Sequence, residues 1–197
     1  SIERTNSFGA PEVSFYIHIP FCPVRCLFCG CNTEIGRNKP YKERYFTALI
    51  KELDHLLPLV DSTRPLTQIH FGGGTPNAVS FSYLDEIISR IFGHFGLNER
   101  KNHNVEVAIE CDPSLLRKTA AKELADIGFN RASIGVQDFN QEVLGFVHRQ
   151  TPLRSIPEHI QEFRDAGFFS VNLDLICGLP GQNRVTFADT LQKTIEA

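Results

Sequence analysis

The feature that most constrains the fold of this 197-residue chain is a regular alternation of short apolar runs with amphipathic segments. Five runs rich in β-branched and aromatic residues predict strands at residues 14–19, 67–71, 105–109, 131–136 and 169–176. Each run is followed by a segment whose apolar residues recur at the helical period of about 3.6 residues. Five strand–helix units predict an α/β fold with a parallel sheet and outer helices. Right-handed crossovers would curl that sheet towards a barrel.

The ends of several helices are marked in the sequence. Pro40 opens the first helical segment, and Pro58 ends it because proline cannot continue a helix. Ser82 and Asp85 predict an N-terminal capping box for the second helix. A last helix is predicted to begin near Thr186.

The length of the chain limits the architecture. A closed barrel of eight strand–helix units takes about 250 residues, so five units in 197 residues predict a sheet that stays open. We expect residues 1–13 to form an N-terminal lead-in and residues 14–197 to form the core. The chain contains no methionine and ends inside a predicted helix, so we expect it to be an excerpt of a longer protein.

Composition excludes some classes of partner. The net charge of −3 and the pI of about 6.2 do not suggest a surface that binds nucleic acid or an anionic membrane. No apolar run approaches the ~20 residues that a membrane helix requires. Six cysteines, four of them close together, fit a reducing compartment better than a disulfide framework. We therefore expect a cytoplasmic protein.

Four cysteines fall within ten residues, directly after the first predicted strand. They are Cys22, Cys26, Cys29 and Cys31, in the spacing C-x3-C-x2-C-x-C. Thiolates are soft ligands for zinc or iron–sulfur clusters, and structural zinc usually takes a second ligand pair roughly 12–20 residues further on. The remaining cysteines, Cys111 and Cys177, are single and distant. Three close cysteines can hold three irons of a cubane and leave the fourth open. A zinc loop and unligated thiols remain alternatives.

Polar and glycine residues follow the predicted strands where each strand ends. In parallel α/β folds, reactive groups gather at that edge. The candidates there are Gly73, Gly74 and Thr75 after the second strand, Glu110 ending the third, Gln137 after the fourth and Asp174 late in the fifth. Asp174 lies in an otherwise apolar run, so its carboxylate needs a partner. Together with the cysteine loop after the first strand, these make five segments that direct polar or ligating groups to one rim, which predicts a binding site there.

The longer cysteine motif resembles a known family. YIHIPFC at residues 16–22 and CLFCGCN at residues 26–32 are similar to the cluster motif of radical S-adenosylmethionine (SAM) enzymes. Within that superfamily the resemblance is to the oxygen-independent coproporphyrinogen III oxidase family, which Cys31 favours over heme-chaperone relatives. The resemblance implies an open, partial (β/α) TIM-like barrel of six strands. On that comparison the chain is truncated before the last strand and the C-terminal domain.

The resemblance also implies the cofactors and their sites. Cys22, Cys26 and Cys29 would hold a 4Fe–4S cluster, and Cys31 would be free but nearby. Two molecules of SAM are expected. The residues expected to contact them are Tyr16, which is also the catalytic candidate, Phe28, Gly73, Gly74, Thr75, Glu110 on a ribose, Gln137 on the second SAM, Arg149 on the SAM carboxylate, and Asp174 on a hydroxyl or amine.

The implied activity is the oxidative decarboxylation of coproporphyrinogen III, in which propionates become vinyl groups and protoporphyrinogen IX is formed in heme biosynthesis. The implied partners are a porphyrinogen substrate and a low-potential electron donor such as flavodoxin or ferredoxin. The protein itself is expected to be a monomer. The alternatives are a heme chaperone, a heme-degrading radical SAM methyltransferase, or a non-catalytic zinc-binding module.

Overall fold

The computed structural model describes residues 12–100 and 104–197. Its main sheet has five parallel strands, and each is paired with the next of the five in chain order. These strands are β1 (Val13–Ile19), β4 (Leu66–Gly73), β5 (Glu106–Cys111), β6 (Arg131–Gln137) and β7 (Ser170–Leu175). Two short strands, β2 (Phe21–Cys22) and β3 (Glu34–Ile35), pair with each other. The predicted parallel α/β architecture is confirmed.

Helices connect the strands of the main sheet. In the described residues these are α1 (Lys39–Leu56), α2 (Phe81–His94), α3 (Ala120–Ile127), α4 (Gln141–Phe146), α5 (Ile156–Asp165) and α6 (Arg184–Glu196). Buried apolar side chains of α1, α2, α3 and α5 form one cluster with those of the strands, so these helices pack against one face of the sheet. None of the helices in the described part of the chain combines the length and apolarity that a bilayer crossing needs.

The start of α2 differs from the prediction. Ser80 is the N-cap residue, and its side chain makes no capping hydrogen bond. Ser82 Oγ lies 2.8 Å from Ser80 Oγ, while the carboxylate of Asp85 pairs with Arg100 at 3.0 Å. The predicted Ser82–Asp85 capping box is therefore wrong, because the helix starts one residue before Ser82 and both side chains have other partners.

The two faces of the sheet differ in polarity, because alternate strand residues point to opposite faces. The face under the helices is apolar and buried, with Ile17, Ile19, Ile69, Phe71, Val107, Ile109, Ala132 and Ile134. The other face carries Tyr16, His18, Gln68, His70, Glu106, Glu110, Arg131, Ser133, Gln137 and Asp174. Burial of each large apolar side chain contributes roughly 1.5–3 kcal/mol, so the helix side of the sheet holds the fold together and the polar side is left open for a ligand.

The predicted lead-in, residues 1–13, falls for the most part on residues 1–11, which lie outside the described residues. The first described strand begins at Val13, one residue before the predicted start of the core. The division of the chain at residues 13 and 14 remains a prediction.

Candidate functional site

The cysteine loop is a compact connection between β2 and β3. Parallel pairing of these two strands brings residues 22 and 35 together and closes the loop. His18 Nε2 lies 3.0 Å from the carbonyl oxygen of Asn32, and the Leu27 N–H donates to the carbonyl of Val147 at 3.0 Å. The loop is thus fixed both to the polar face of β1 and to the end of α4.

The loop forms one wall of a cavity of about 180 Å³ at the carboxyl ends of the strands. The predicted residues that line this cavity are Cys22, Cys26, Phe28, Cys29, Gly73, Gly74, Thr75, Glu110, Gln137, Arg149 and Asp174. Cys31 lines it as well. Of the predicted site residues within the described chain, Tyr16 alone is not a lining residue. The residue is 59% exposed, and its ring stacks on His70, the partner of Glu110.

A larger cavity, of about 560 Å³, lies on the other side of Arg149 and is bounded by Pro152, Arg154 and Lys193. Its lining residues include no cysteine. Size alone would select this cavity, but the metal-ligating chemistry is found in the smaller one. We therefore place the candidate site at the cysteine loop.

The cysteines of the loop are free thiols. Cys22 Sγ lies 3.2 Å from the hydroxyl of Thr75, and partial burial raises the pKa of the Cys22 thiol. Across residues 12–100 and 104–197, no group of three or more His, Cys, Asp or Glu side chains is close enough to hold one metal ion. Cysteine thiolates that line one cavity are candidate ligands for a zinc ion or for an iron–sulfur cluster.

The glycine segment at the end of β4 packs directly under the cysteine loop. Gly73 has φ +115°, and a Cβ there would lie 2.7 Å from the ring of His18. A Cβ at Gly74 would lie 2.7 Å from the backbone carbonyl of Pro20 and 3.0 Å from Cys22 Sγ. The Gly74 N–H donates to the carbonyl of Ile19 at 2.8 Å. Glycine is required here because the two loops approach each other too closely for a side chain.

Glu110 is held on the polar face by its neighbours on β4. Its Oε1 lies 3.0 Å from His70 Nε2, and its Oε2 accepts from the Gly73 N–H at 3.3 Å. The hydrogen bond with His70 holds the pKa of Glu110 below its ordinary value. Tyr16 lies beside this pair, and burial together with the charge of Glu110 raises the Tyr16 pKa. The carboxylate is therefore ionised and faces the cavity.

The ends of β6 and β7 supply a second polar group. The Ser133 hydroxyl lies 2.9 and 2.8 Å from the two carboxylate oxygens of Asp174. The partner that Asp174 requires is thus a serine on the adjacent strand. Beyond it the pairing shifts register between Gly135 and Gln137, and Gln137 adopts φ +68°. The irregularity turns the chain at the rim of the cavity.

Phe28 and Arg149 lie on the side of the cavity nearest α4. Phe28 packs against an apolar patch of Val143, Val147 and Leu179, which anchors the cysteine loop. Arg149 forms an ion pair with Asp112 at 2.8 Å, and both side chains are largely buried. The guanidinium therefore has a protein partner within the site.

A buried carboxylate organises the loop that follows β7. Asp138 is 1% exposed and accepts from the Thr190 hydroxyl at 2.7 Å, from Gln182 Nε2 at 2.5 Å and from the Asn140 N–H at 2.7 Å. Gln182 also accepts from the Gly178 N–H at 2.6 Å. These bonds fix the loop that carries Leu179 against the cysteine loop.

Four residues at the site, His18, His70, Asp112 and Ser133, are not among those predicted from the sequence. His18, His70 and Ser133 follow a signal that was available, namely the period-two alternation of polar residues along β1, β4 and β6. A parallel strand buried on both faces is apolar throughout, so this alternation indicates an open polar face. Asp112 lies just after β5, where its carboxylate caps a turn by accepting from the Ser114 N–H at 2.9 Å.

Comparison with known proteins agrees with this geometry. A curated oxygen-independent coproporphyrinogen III oxidase of Synechocystis is 43% identical over 97% of this chain and 40% of its own length. The enzyme of the same name from Escherichia coli is 40% identical over 99% of the chain and 42% of its own length. The chain thus spans about two fifths of the length of these relatives.

Solved structures show the same fold. The structure of the E. coli coproporphyrinogen III oxidase, described as a radical SAM enzyme, superposes with a TM-score of 0.82 at 36% identity and covers 94% of this chain and 42% of its own. A radical SAM methyltransferase from Kitasatospora setae is 14% identical with a TM-score of 0.62, over 92% of this chain and 34% of its own, and shares the fold alone. The family model described as "Radical SAM superfamily" matches residues 16–194. This chain belongs to the radical SAM superfamily, and membership implies a 4Fe–4S cluster and SAM.

Proposed function

We propose that this chain is the cofactor-binding core of an oxygen-independent coproporphyrinogen III oxidase, an oxidoreductase of heme biosynthesis. In this reaction each of two propionate side chains of coproporphyrinogen III loses a hydrogen atom, carbon dioxide and one electron and becomes a vinyl group, which gives protoporphyrinogen IX. The hydrogen atom would pass to the radical derived from SAM, and the electron to a one-electron acceptor. The observation that carries the proposal is that cysteines 22, 26 and 29 and polar residues from four strand ends line one cavity. The relatives at 40–43% identity that bear this enzyme name support the choice of reaction.

The loop cysteines are the proposed cluster ligands. Cys22, Cys26 and Cys29 hold the 4Fe–4S cluster in this proposal, and Cys31, the most exposed of the four, stays free. When bound, the cluster and SAM supply low-potential radical chemistry that removes a hydrogen atom from a substrate. Phe28 and the apolar patch behind it exclude water from the cysteine loop.

The polar groups around the cavity are the proposed SAM contacts. Glu110 and Asp174 are carboxylates able to accept from ribose hydroxyls or an amine, and Arg149 offers a planar donor to a carboxylate. Gly73, Gly74 and Thr75 present backbone groups at the end of β4. For Gln137 and Tyr16, at the rim, we propose contacts to a second and to the first SAM molecule. Tyr16 also remains the catalytic candidate, because it is exposed and stacks on His70, the partner of Glu110.

The proposal extends to partners. Such a reaction needs a low-potential electron donor, for which flavodoxin or ferredoxin is the expected class, and a porphyrinogen substrate. We further propose a monomer in the cytoplasm that binds neither nucleic acid nor membranes; the net charge of −3 supports this reading.

Metal content tests the cofactor assignment. After anaerobic purification we expect iron and acid-labile sulfide, and an absorbance near ~400 nm typical of thiolate-ligated clusters. Cys26→Ala should abolish this absorbance, while the matched Cys31→Ala should keep it. Equal loss in both variants would contradict the ligand assignment, and zinc without sulfide would favour the zinc module.

Activity tests the substrate. The full-length protein that carries this chain is incubated anaerobically with coproporphyrinogen III, SAM and a reductant, and protoporphyrinogen IX is measured after oxidation. Formation of this product, with consumption of SAM, is the expected result. Tight stoichiometric heme binding without decarboxylation would instead favour a heme chaperone, and methylation with opening of the heme ring would favour the methyltransferase.

A further inference from the structure

Arg149 is an enclosed cation whose guanidinium reaches the cysteine loop. Its side chain is 11% exposed, and its Nη1 lies 3.9 Å from Cys26 Sγ. Its Nη2 donates to the carbonyl of Gly135 at 2.6 Å. The backbone N–H of Arg149 donates to the carbonyl of Leu144 at 2.9 Å. The residue is therefore anchored at both ends, with one N–H group directed at a cysteine sulfur.

Asp112 fixes this guanidinium from the other side. Its Oδ2 lies 2.8 Å from Arg149 Nη1, and its side chain is 10% exposed. Its Oδ1 accepts from the Ser114 N–H and hydroxyl at 2.9 and 2.7 Å. The buried amide of Asn77 donates to the Asp112 carbonyl and accepts from the Asp112 N–H, both at 2.9 Å. Backbone and carboxylate are both held, so Asp112 is a preorganised support.

A charge in this position acts on any redox group that Cys26 ligates. Reduction adds an electron, and a cation with an N–H directed at a ligand sulfur stabilises the added negative charge. Hydrogen bonds to cysteine sulfur and nearby charges are among the factors that set the potentials of iron–sulfur clusters. The effect is larger in a poorly solvated site, because Coulomb interactions grow as the effective dielectric constant falls. The carboxylate of Asp112 acts in the opposite direction.

We propose that the Asp112–Arg149 ion pair sets the reduction potential of the cluster held by Cys22, Cys26 and Cys29. Arg149 raises the potential through Cys26. Asp112 is a positioning residue that holds the guanidinium in place and limits that rise. The inference depends on the proposed function for the presence of the cluster, and on the observed contacts for the direction of the effect.

Substitution of each partner should move the midpoint potential in opposite directions. Arg149→Gln removes the cation and should shift the potential to more negative values. Asp112→Asn removes the counter-charge, while its amide oxygen can still accept from Arg149, so the potential should shift to more positive values. The potential is measured by a titration of the reconstituted full-length protein, monitored by electron paramagnetic resonance. SAM is omitted so that altered SAM binding plays no part.

Two further variants make the test specific. Arg131→Gln removes an ion pair of the same kind, between Arg131 Nη1 and Glu106 Oε2 at 2.9 Å. Arg131 and Gly135 lie on the same strand, and four residues at about 3.3 Å each place them roughly 13 Å apart, so this control should keep the original potential. Arg149→Lys keeps the positive charge but lacks the planar guanidinium. The midpoint potential of its cluster should fall between those of the unsubstituted protein and Arg149→Gln.

The outcomes separate the two proposals. Absence of iron and sulfide in the unsubstituted protein would overturn the proposed function. A cluster whose potential is unchanged in both Arg149→Gln and Asp112→Asn, or shifts in the same direction in both, would overturn the inference, as would an equal shift in Arg131→Gln. If Arg149→Gln loses the cluster, Asp112→Asn and Arg149→Lys decide by the same signs.

Discussion

His70 Nε2 on β4 lies 3.0 Å from Glu110 Oε1 on β5, across the polar face of the sheet. This contact is the main cause of the lowered pKa of Glu110, which also accepts a hydrogen bond from the Gly73 N–H. It joins the strand that ends in the glycine segment to the strand that carries the proposed ribose contact. Protonation of one carboxylate therefore changes both walls of the cavity.

Glu110→Gln should change the pH dependence of stability. A carboxylate with a lowered folded-state pKa stabilises the fold above its ordinary pKa of 4.5, and this contribution is lost as the pH falls through the lower folded value. Since the side chain is 41% exposed, we expect the unfolding free energies of the two proteins to differ by at most about 1 kcal/mol at neutral pH. Urea unfolding of both proteins from neutral to acidic pH measures this gap in unfolding free energy, which should narrow as the pH falls. A gap that widens on acidification would contradict the assignment.

Gly74→Ala should disturb the cysteine loop. The new Cβ would meet the backbone of Pro20 at 2.7 Å and Cys22 Sγ at 3.0 Å, and forced overpacking of this kind costs about 1–3 kcal/mol. We expect lower unfolding free energy and reduced iron incorporation. The matched control is Gly30→Ala, within the cysteine loop, where no described atom beyond the two neighbouring residues lies within 4 Å of the added Cβ. Equal losses in the two variants would refute the packing argument.

Thr190→Val should destabilise the protein through a buried charge. The Thr190 hydroxyl is a donor to the Asp138 carboxylate, which is 1% exposed and has no cation among its described partners. Loss of a hydrogen bond to a buried charged group costs about 1.5–3 kcal/mol. Thr194→Val serves as the control, because within the described part of the chain its hydroxyl bonds to the backbone carbonyl of Thr190 and to no carboxylate. The loss of stability in both variants is measured by thermal or urea unfolding. A larger loss in Thr194→Val than in Thr190→Val would show that Asp138 does not depend on Thr190.

Ser133→Ala should weaken SAM binding more than it weakens the fold. The serine hydroxyl lies within 2.9 Å of both carboxylate oxygens of Asp174, yet Asp174 is exposed and so remains solvated without it. Loss of one hydrogen bond of about 1 kcal/mol corresponds to roughly fivefold weaker binding. Equilibrium dialysis of SAM on the reconstituted protein measures this change. Unaltered affinity with an unfolding free energy lowered by the same amount would assign Ser133 to stability alone.

Much of the fold was predictable because the strands and helices carry strong local patterns. The predicted strand at residues 67–71 lies within Leu66–Gly73. The strand runs two residues beyond its predicted end, because pairing of His18 with Gly72 and of Ile19 with Gly73 extends it. The tertiary contact with β1 overrides the local preference of glycine.

The site was predictable where a residue stands in a motif and not where it is defined by a distant partner. The cysteines and Glu110 are in such motifs. Ser133 acquires its partner from the register of β6 on β7, which aligns residue 133 with residue 172 and the hydroxyl with Asp174. Asp112 meets Arg149 only after the segments that carry them converge at the rim of the sheet. Neither relationship leaves a local pattern in the sequence.

The division of the sheet into an apolar face and a polar face gives this chain two separate sets of constraints. Residues such as Ile69 and Ile134, under the helices, are constrained by the volume and shape of the core, so substitutions there lower the free energy of unfolding. Residues such as His70 and Ser133 lie on the polar face, so they are constrained by the ligand that binds there. Substitutions on the polar face can therefore change which ligand binds, while the apolar face and the helices keep the same fold.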